Sequence, residues 1–123
     1  MLESMGWVEM KAKFGVPGSK LKEKIKDVEI YCTSEEEAMA LAAGAWLAGK
    51  QPEVYMQNTG LCRSLNIILT LYKPYKIPLP KLLLSNRKYP FHHYYVWKYT
   101  EDLLRISKFK KIERIEDEEN KSN

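Results

Sequence analysis

The feature that most limits how this chain can fold is the repeated change of hydrophobic period along it. In WVEMKAKF, Val8, Met10, Ala12 and Phe14 recur at period two, the pattern of a strand. VPGS follows as a turn, and Ser19 is placed to cap a short helix over LKEKIKD. VEIYC reads as a second strand, and Ser34 to Gly49 as a long helix closed by glycine. PEVYM is a third strand, Leu61 to Tyr72 a helix stopped near Pro74, and KLLLS a fourth strand. Thr100 is placed to cap EDLLRIS ahead of a last strand, KKIERI. Such alternation predicts an α/β domain of three layers, α/β/α, around a mainly parallel sheet with right-handed crossovers.

At 123 residues the chain has the length of one domain, able to bury roughly two-thirds of its unfolded surface. The division expected is a domain over residues 1–115 and an acidic, disordered tail over 116–123. The formal charge of +4 hides this asymmetry: Glu116, Asp117, Glu118 and Glu119 against Lys121 leave −3 in the tail and +7 in the remainder. The lysines of the body are interleaved with acids and apolar residues and form no recognition motif, so nucleic acid is not the expected partner. No run reaches the ~18 apolar residues of a membrane span and no signal-peptide pattern opens the chain, so no membrane is expected and the cytoplasm is the expected address. Cys32 and Cys62 lack metal-ligand or redox spacing and read as structural thiols, and no metal ligands are expected in the chain.

In a parallel sheet, ligands bind beyond the carboxyl ends of the strands. The polar loops VPGS, SEEE, QNTG and SNRK all fall there. The richest stretch is Thr33 to Asn66. Ser34 sits at an N-cap, with Glu37 three residues on as its capping-box partner, which leaves Glu35 and Glu36. A carboxylate at a helix start is ordinarily a dipole partner. From Ala38 onward, however, AMALAAGAWLAG is small or apolar, as in a helix buried on most of its surface. A carboxylate on the buried side of that first turn loses solvation, which favours its protonated form, the state required of a donor to a ligand nitrogen.

The runs EEEAMALAAGAWLAGK, VYMQNTGL, SLN and YKIP resemble the pyrimidine-binding half of thiamine diphosphate-dependent 2-oxo acid decarboxylases. The resemblance is strongest to the sulfopyruvate and phosphonopyruvate decarboxylase family, and it runs from about Phe14 to about Thr100. It implies the thiamine diphosphate-binding fold and assigns the family's glutamate to Glu35. That glutamate hydrogen-bonds N1′ of the aminopyrimidine, favouring the tautomer whose nitrogen removes a proton from the thiazolium ring. Gln57 and Asn58 are implied at the cofactor, their alternative being loop backbone bonding. Ser19, in GVPGS, is implied near the substrate carboxylate, or else it merely caps. Asn66, Arg87 and His93 match substrate-side positions of the family; each also has an ordinary reading, as a helix polar group, a solvated cation and a packed aromatic neighbour.

The chain also departs from that pattern. GLCRS replaces GLGNS, putting Cys62 and Arg63 where glycine and asparagine are expected; Arg63 has the paired donors to recognise a sulfonate or phosphonate, or else it blocks the site. Trp97 stands in place of a glycine, and only LESMG precedes the first strand where relatives carry a helix. No Gly-Asp-Gly motif occurs, so the Mg²⁺ that holds the cofactor's diphosphate is expected to take its ligands from a partner subunit bearing that motif. Two readings follow. In one, the chain is the alpha subunit of a heteromeric decarboxylase converting sulfopyruvate to sulfoacetaldehyde and carbon dioxide in coenzyme M biosynthesis. In the other, it is a shortened, non-catalytic homologue serving as an oligomerisation or regulatory partner.

Overall fold

A computed structural model of the protein describes residues 11–16, 28 and 30–116. The expected helix from Ser19, and most of the acidic tail, lie outside those residues. Five strands form one sheet: β1 (Lys11–Gly15), β2 (Ile30–Tyr31), β3 (Gln51–Gln57), β4 (Lys81–Asn86) and β5 (Ile112–Glu116). Their order is β2-β1-β3-β4-β5 and every pairing is parallel. The α/β class expected from the periodicity is therefore the one observed. Glu116, expected to open the tail, is the last residue of β5 and pairs with Asn86.

The helices are α1 (Glu35–Leu47), α2 (Gly60–Ile67), α3 (Tyr94–Lys98) and α4 (Thr100–Ser107). A π-helical turn, Ile68–Tyr72, extends α2, and a 3-10 turn, Phe91–His93, leads into α3. From β2 to β3, β3 to β4 and β4 to β5 the chain advances in one direction across the sheet. Right-handed crossovers then place α1, α2 and α4 on the same face.

Alternate residues of the strands, Phe14, Val54, Met56, Leu82 and Leu84, meet Met39, Leu61, Ile68 and Leu104 in the main core. Their neighbours Tyr55 and Leu83 face the other way and form a second, smaller cluster with Val28 and Ile115. The Tyr72 hydroxyl donates to the carbonyl of Met39 at 2.6 Å inside the main core, tying the end of the α2 unit to the middle of α1.

Two expectations change. α1 is not buried on most of its surface: Ala38, Met39, Ala42 and Ala43 are inside, while Leu41, Trp46 and Leu47 are exposed. One sheet face can cover only one side of a helix, so the outer side of this all-round apolar sequence is left bare. Thr100 is not a cap; Tyr99 takes that position without a side-chain bond, and Thr100 is 4% exposed. Among the described residues, no helix is long and apolar enough to cross a membrane.

The strand order reverses direction between β1 and β3. Such a switch point opens a crevice at the carboxyl ends of the strands. Its walls are Gly15 and Val16 on one side and Gln57 and Asn58 on the other.

Candidate active site

Ser34 is extended (φ −147°, ψ 159°), and its hydroxyl accepts from the amide of Glu37 at 3.2 Å, which starts α1. The Glu37 carboxylate reaches back to accept from the amide of Thr33 at 3.2 Å, one residue before the position a standard capping box uses. The same carboxylate lies near Cys32. Burial first, and Glu37 second, push the Cys32 thiol from 9.0 up to about 11.

With Glu37 turned back, Glu35 points inward; its side chain is 13% exposed against 45% for Glu36. The neighbour that admits it is Gly60, the first residue of α2. A Cβ on Gly60 would lie 2.4 Å from Glu35 Cγ and 3.0 Å from both Glu35 Cδ and Met56 Sδ. Real atoms do not approach so closely, so any side chain there would evict the carboxylate. Above it stands Arg63, 65% exposed, with Nε 3.9 Å from Glu35 Oε1 and Nη1 4.0 Å from Glu36 Oε2.

Beside this acid, β3 ends in two amides. Gln57 buries its Nε2 with no hydrogen-bond partner, as does Glu36 its Oε1. A buried amide donor without a partner costs about 1–3 kcal/mol, so Gln57 is held at an energetic cost that the chain's own groups do not offset. Asn58 is 0% exposed and saturated. Its Nδ2 donates to the Arg87 carbonyl (3.1 Å) and the Thr100 hydroxyl (3.2 Å), and its Oδ1 accepts from the Arg87 amide (3.1 Å). Thr100 passes its own proton to the Val96 carbonyl at 2.7 Å. One carboxamide thus clamps the loops after β3 and β4 to the start of α4.

No protein-family model matches the chain. Curated relatives do. The alpha subunit of sulfopyruvate decarboxylase from Methanocaldococcus jannaschii is 43% identical over 79 residues, covering 58% of this chain and 46% of that protein. The same subunit from Methanothermobacter thermautotrophicus is 42% identical over 60 residues (49% and 36%), and that from Methanococcus maripaludis 43% over 63 (50% and 37%). Over the matched residues the chain is similar to sulfopyruvate decarboxylase alpha subunits. It spans less than half the length of these curated relatives.

The residues singled out in the sequence do not all meet at one place. Glu35, Gln57 and Arg63 stand at the carboxyl edge of the sheet with the geometry just described. Asn58 is there too, but its carboxamide serves the protein's own loops, which makes it a clamp where a cofactor contact is expected from the sequence. Arg87 presents its backbone to that clamp and turns its Nε back to the Tyr89 carbonyl at 2.9 Å.

Asn66 is exposed one turn beyond Arg63, on the same side of α2. His93 is half-buried in the 3-10 turn, its ring 4.2 Å from that of His92. Trp97, with the Lys88 ammonium 4.3 Å from its ring, lines a cavity of about 360 Å³ with Asn86, Thr100 and the paired Glu101 and Arg114. Ser19 lies outside the described residues. Two site residues escaped the sequence reading: Gly60, whose lack of a side chain matters only once Glu35 is seen against it, and Thr100. Among the described residues, no three His, Cys, Asp or Glu side chains come together as metal ligands.

Proposed function

We propose that the chain is the pyrimidine-binding alpha subunit of a heteromeric, thiamine diphosphate-dependent decarboxylase that converts sulfopyruvate to sulfoacetaldehyde and carbon dioxide on the route to coenzyme M, in the cytoplasm. The observation that carries this reading is Glu35: a carboxylate 13% exposed, seated in the space that Gly60 leaves by lacking a Cβ, at the switch-point edge of a parallel sheet.

The residues present fit an aminopyrimidine. Glu35 offers an oxygen to a ring nitrogen, and the partnerless Nε2 of Gln57 offers a donor to a second ring or substrate atom. When bound, thiamine diphosphate supplies the carbon nucleophile and the electron sink for decarboxylation. The chain's own part is to share a proton with the ring through Glu35, to keep water away with the packed start of α2, and to hold both loops in place through Asn58. Arg63, with Asn66 on the same side of α2, faces the sulfonate tail; Ser19, Arg87 and His93 complete the substrate side.

A partner subunit carrying Gly-Asp-Gly provides the Mg²⁺ ligands and covers the bare side of α1, where Leu41, Trp46 and Leu47 are exposed. The test is to assemble the chain with such a diphosphate-binding subunit and follow carbon dioxide release from sulfopyruvate. Glu35→Gln is expected to reduce it by about 10²-fold or more with assembly intact; wild-type turnover in that variant overturns the reading.

A further inference from the structure

Arg63 is shared, not paired. Its Nε lies 3.9 Å from Glu35 and its Nη1 4.0 Å from Glu36, so two carboxylates hold one guanidinium at nearly equal range. Neither distance is that of a charge-assisted hydrogen bond, which closes to about 2.7–2.9 Å. A guanidinium 65% exposed has the freedom to close on a lone carboxylate and form a two-bond fork. Here the second carboxylate pulls it the other way. Glu36 has its Oε1 buried without a hydrogen-bond partner and turns its Oε2 toward the arginine, so that oxygen is the one it offers.

We propose that Glu36 is a positioning residue: by sharing Arg63 it keeps the guanidinium off Glu35, leaving the Glu35 carboxylate open to a ring nitrogen of the ligand and Arg63 ready to move to an anionic tail. This rests on the proposed function of Glu35. Without the Glu36 charge, Arg63 has one counter-charge left and closes onto it. The carboxylate oxygens that should meet the ring are then occupied.

Two measurements decide it. In the chain alone, the Nε–H of Arg63 is followed by proton–nitrogen NMR, whether or not any cofactor binds. Glu36→Gln is expected to slow its hydrogen exchange about twofold to fivefold, the effect of closing an exposed ion pair. Unchanged exchange overturns the inference.

In the complex with the partner subunit, thiamine diphosphate affinity is measured by calorimetry for Glu36→Gln, Arg63→Gln and the double variant. Glu36→Gln is expected to weaken binding about twofold to fivefold through the same ion pair, and the penalty is expected to vanish in the Arg63→Gln background. A penalty of equal size in both backgrounds means that Glu36 acts through the helix start, and the inference fails. Absence of cofactor binding by the wild-type complex would defeat the proposed function and leave the exchange measurement to judge the Arg63 geometry.

Discussion

The two ends of the sheet carry opposite chemistry. At the amino end, a cavity of about 1260 Å³ is rimmed by Lys73, Lys76, Lys81, Lys108, Lys110 and Lys111. At the carboxyl end, the prominent groups are the carboxylates of Glu35 and Glu36 and the amides of Gln57 and Asn58. In a parallel α/β domain the helices run back against the strands, so their negative ends collect at the amino edge and their positive ends at the carboxyl edge. Lysines at one end and acids at the other are what those dipoles favour.

The difference lies in how the charges are held. Lys73 donates to the Ser107 carbonyl at 2.9 Å, and Lys81 sits 3.3 Å from Glu113 and 3.8 Å from Glu53, so these two lysines of the rim answer to the protein's own groups. Each end draws one acid inward, Glu53 beside Lys81 and Glu35 beside Arg63, but at the carboxyl end Gln57 also buries an amide donor with no partner. Unsatisfied burial, and not volume, is what sets the carboxyl end apart.

The largest effect that would break this contrast is expected at Gly60. Gly60→Ala places a methyl 2.4 Å from Glu35 Cγ, which evicts the carboxylate; overpacking of this kind costs about 1–3 kcal/mol. Because the acid then leaves its seat, carbon dioxide release by the assembled complex should fall about 10²-fold, more than so small a stability loss explains. Normal turnover would show that Glu35 need not sit there. Next comes Asn58→Ala, which strands the Arg87 amide and carbonyl; about 3 kcal/mol of unfolding free energy should disappear in a urea titration. The matched change at the other end, Lys81→Ala, removes an exposed ion pair with Glu113 and a half-buried one with Glu53, and should cost about 1 kcal/mol, less than either change at the carboxyl end.

These residues also show what was legible beforehand. The α/β class followed from the change of period, since strands of period two and helices of period 3.6 leave different marks in sequence. Ser34 and Glu37 were readable because a cap is local. Glu35 needed the resemblance, because nothing within its own turn tells a buried acid from a solvated one. The roles of Gly60 and Thr100 were hidden for a different reason: each is defined by a residue distant in sequence, Glu35 for Gly60 and Asn58, 42 positions away, for Thr100. The bare side of α1 was misread, because an apolar composition fixes how much a helix can bury and not how much the chain by itself covers.

Alkaline pH sharpens the contrast from the side of the core. Burial raises both the Cys32 thiol, from 9.0 to about 11, and the Tyr72 phenol, above its ordinary 10.0. Each group ionises more readily when the chain unfolds. The stability each contributes is therefore fully present below its unfolded value and is lost as pH rises through the folded one. The unfolding midpoint should begin to fall near pH 9.0 and fall faster above 10.0. Cys32→Ala should remove the first part of that decline. Tyr72→Phe should remove the second, at a cost near 1 kcal/mol for the lost bond to Met39. A flat profile in the wild-type protein would mean that neither group is sealed from water when folded.

The smallest effect belongs to the amino end. Lys76 and Lys108 take left-handed backbone angles, φ 55° and 65°, and Lys108 closes α4 by donating its amide to the Leu104 carbonyl at 2.9 Å. A side chain there costs about 1–2 kcal/mol that glycine avoids. Against that stand glycine's greater loss of chain entropy, about 0.5–1 kcal/mol, and the attraction of lysine to the helix end, about 0.3–1 kcal/mol. The balance for Lys108→Gly should lie within about 0.5 kcal/mol of zero at low salt, and it should turn favourable as salt screens the charge. Lys108→Asn, which tolerates the same angle without glycine's entropy, should be the more stable of the two at every salt concentration. If glycine instead destabilises the protein equally at low and high salt, the lysine stem is packing against the cavity wall, and the amino end would have a structural reason for its lysines that the dipoles do not supply.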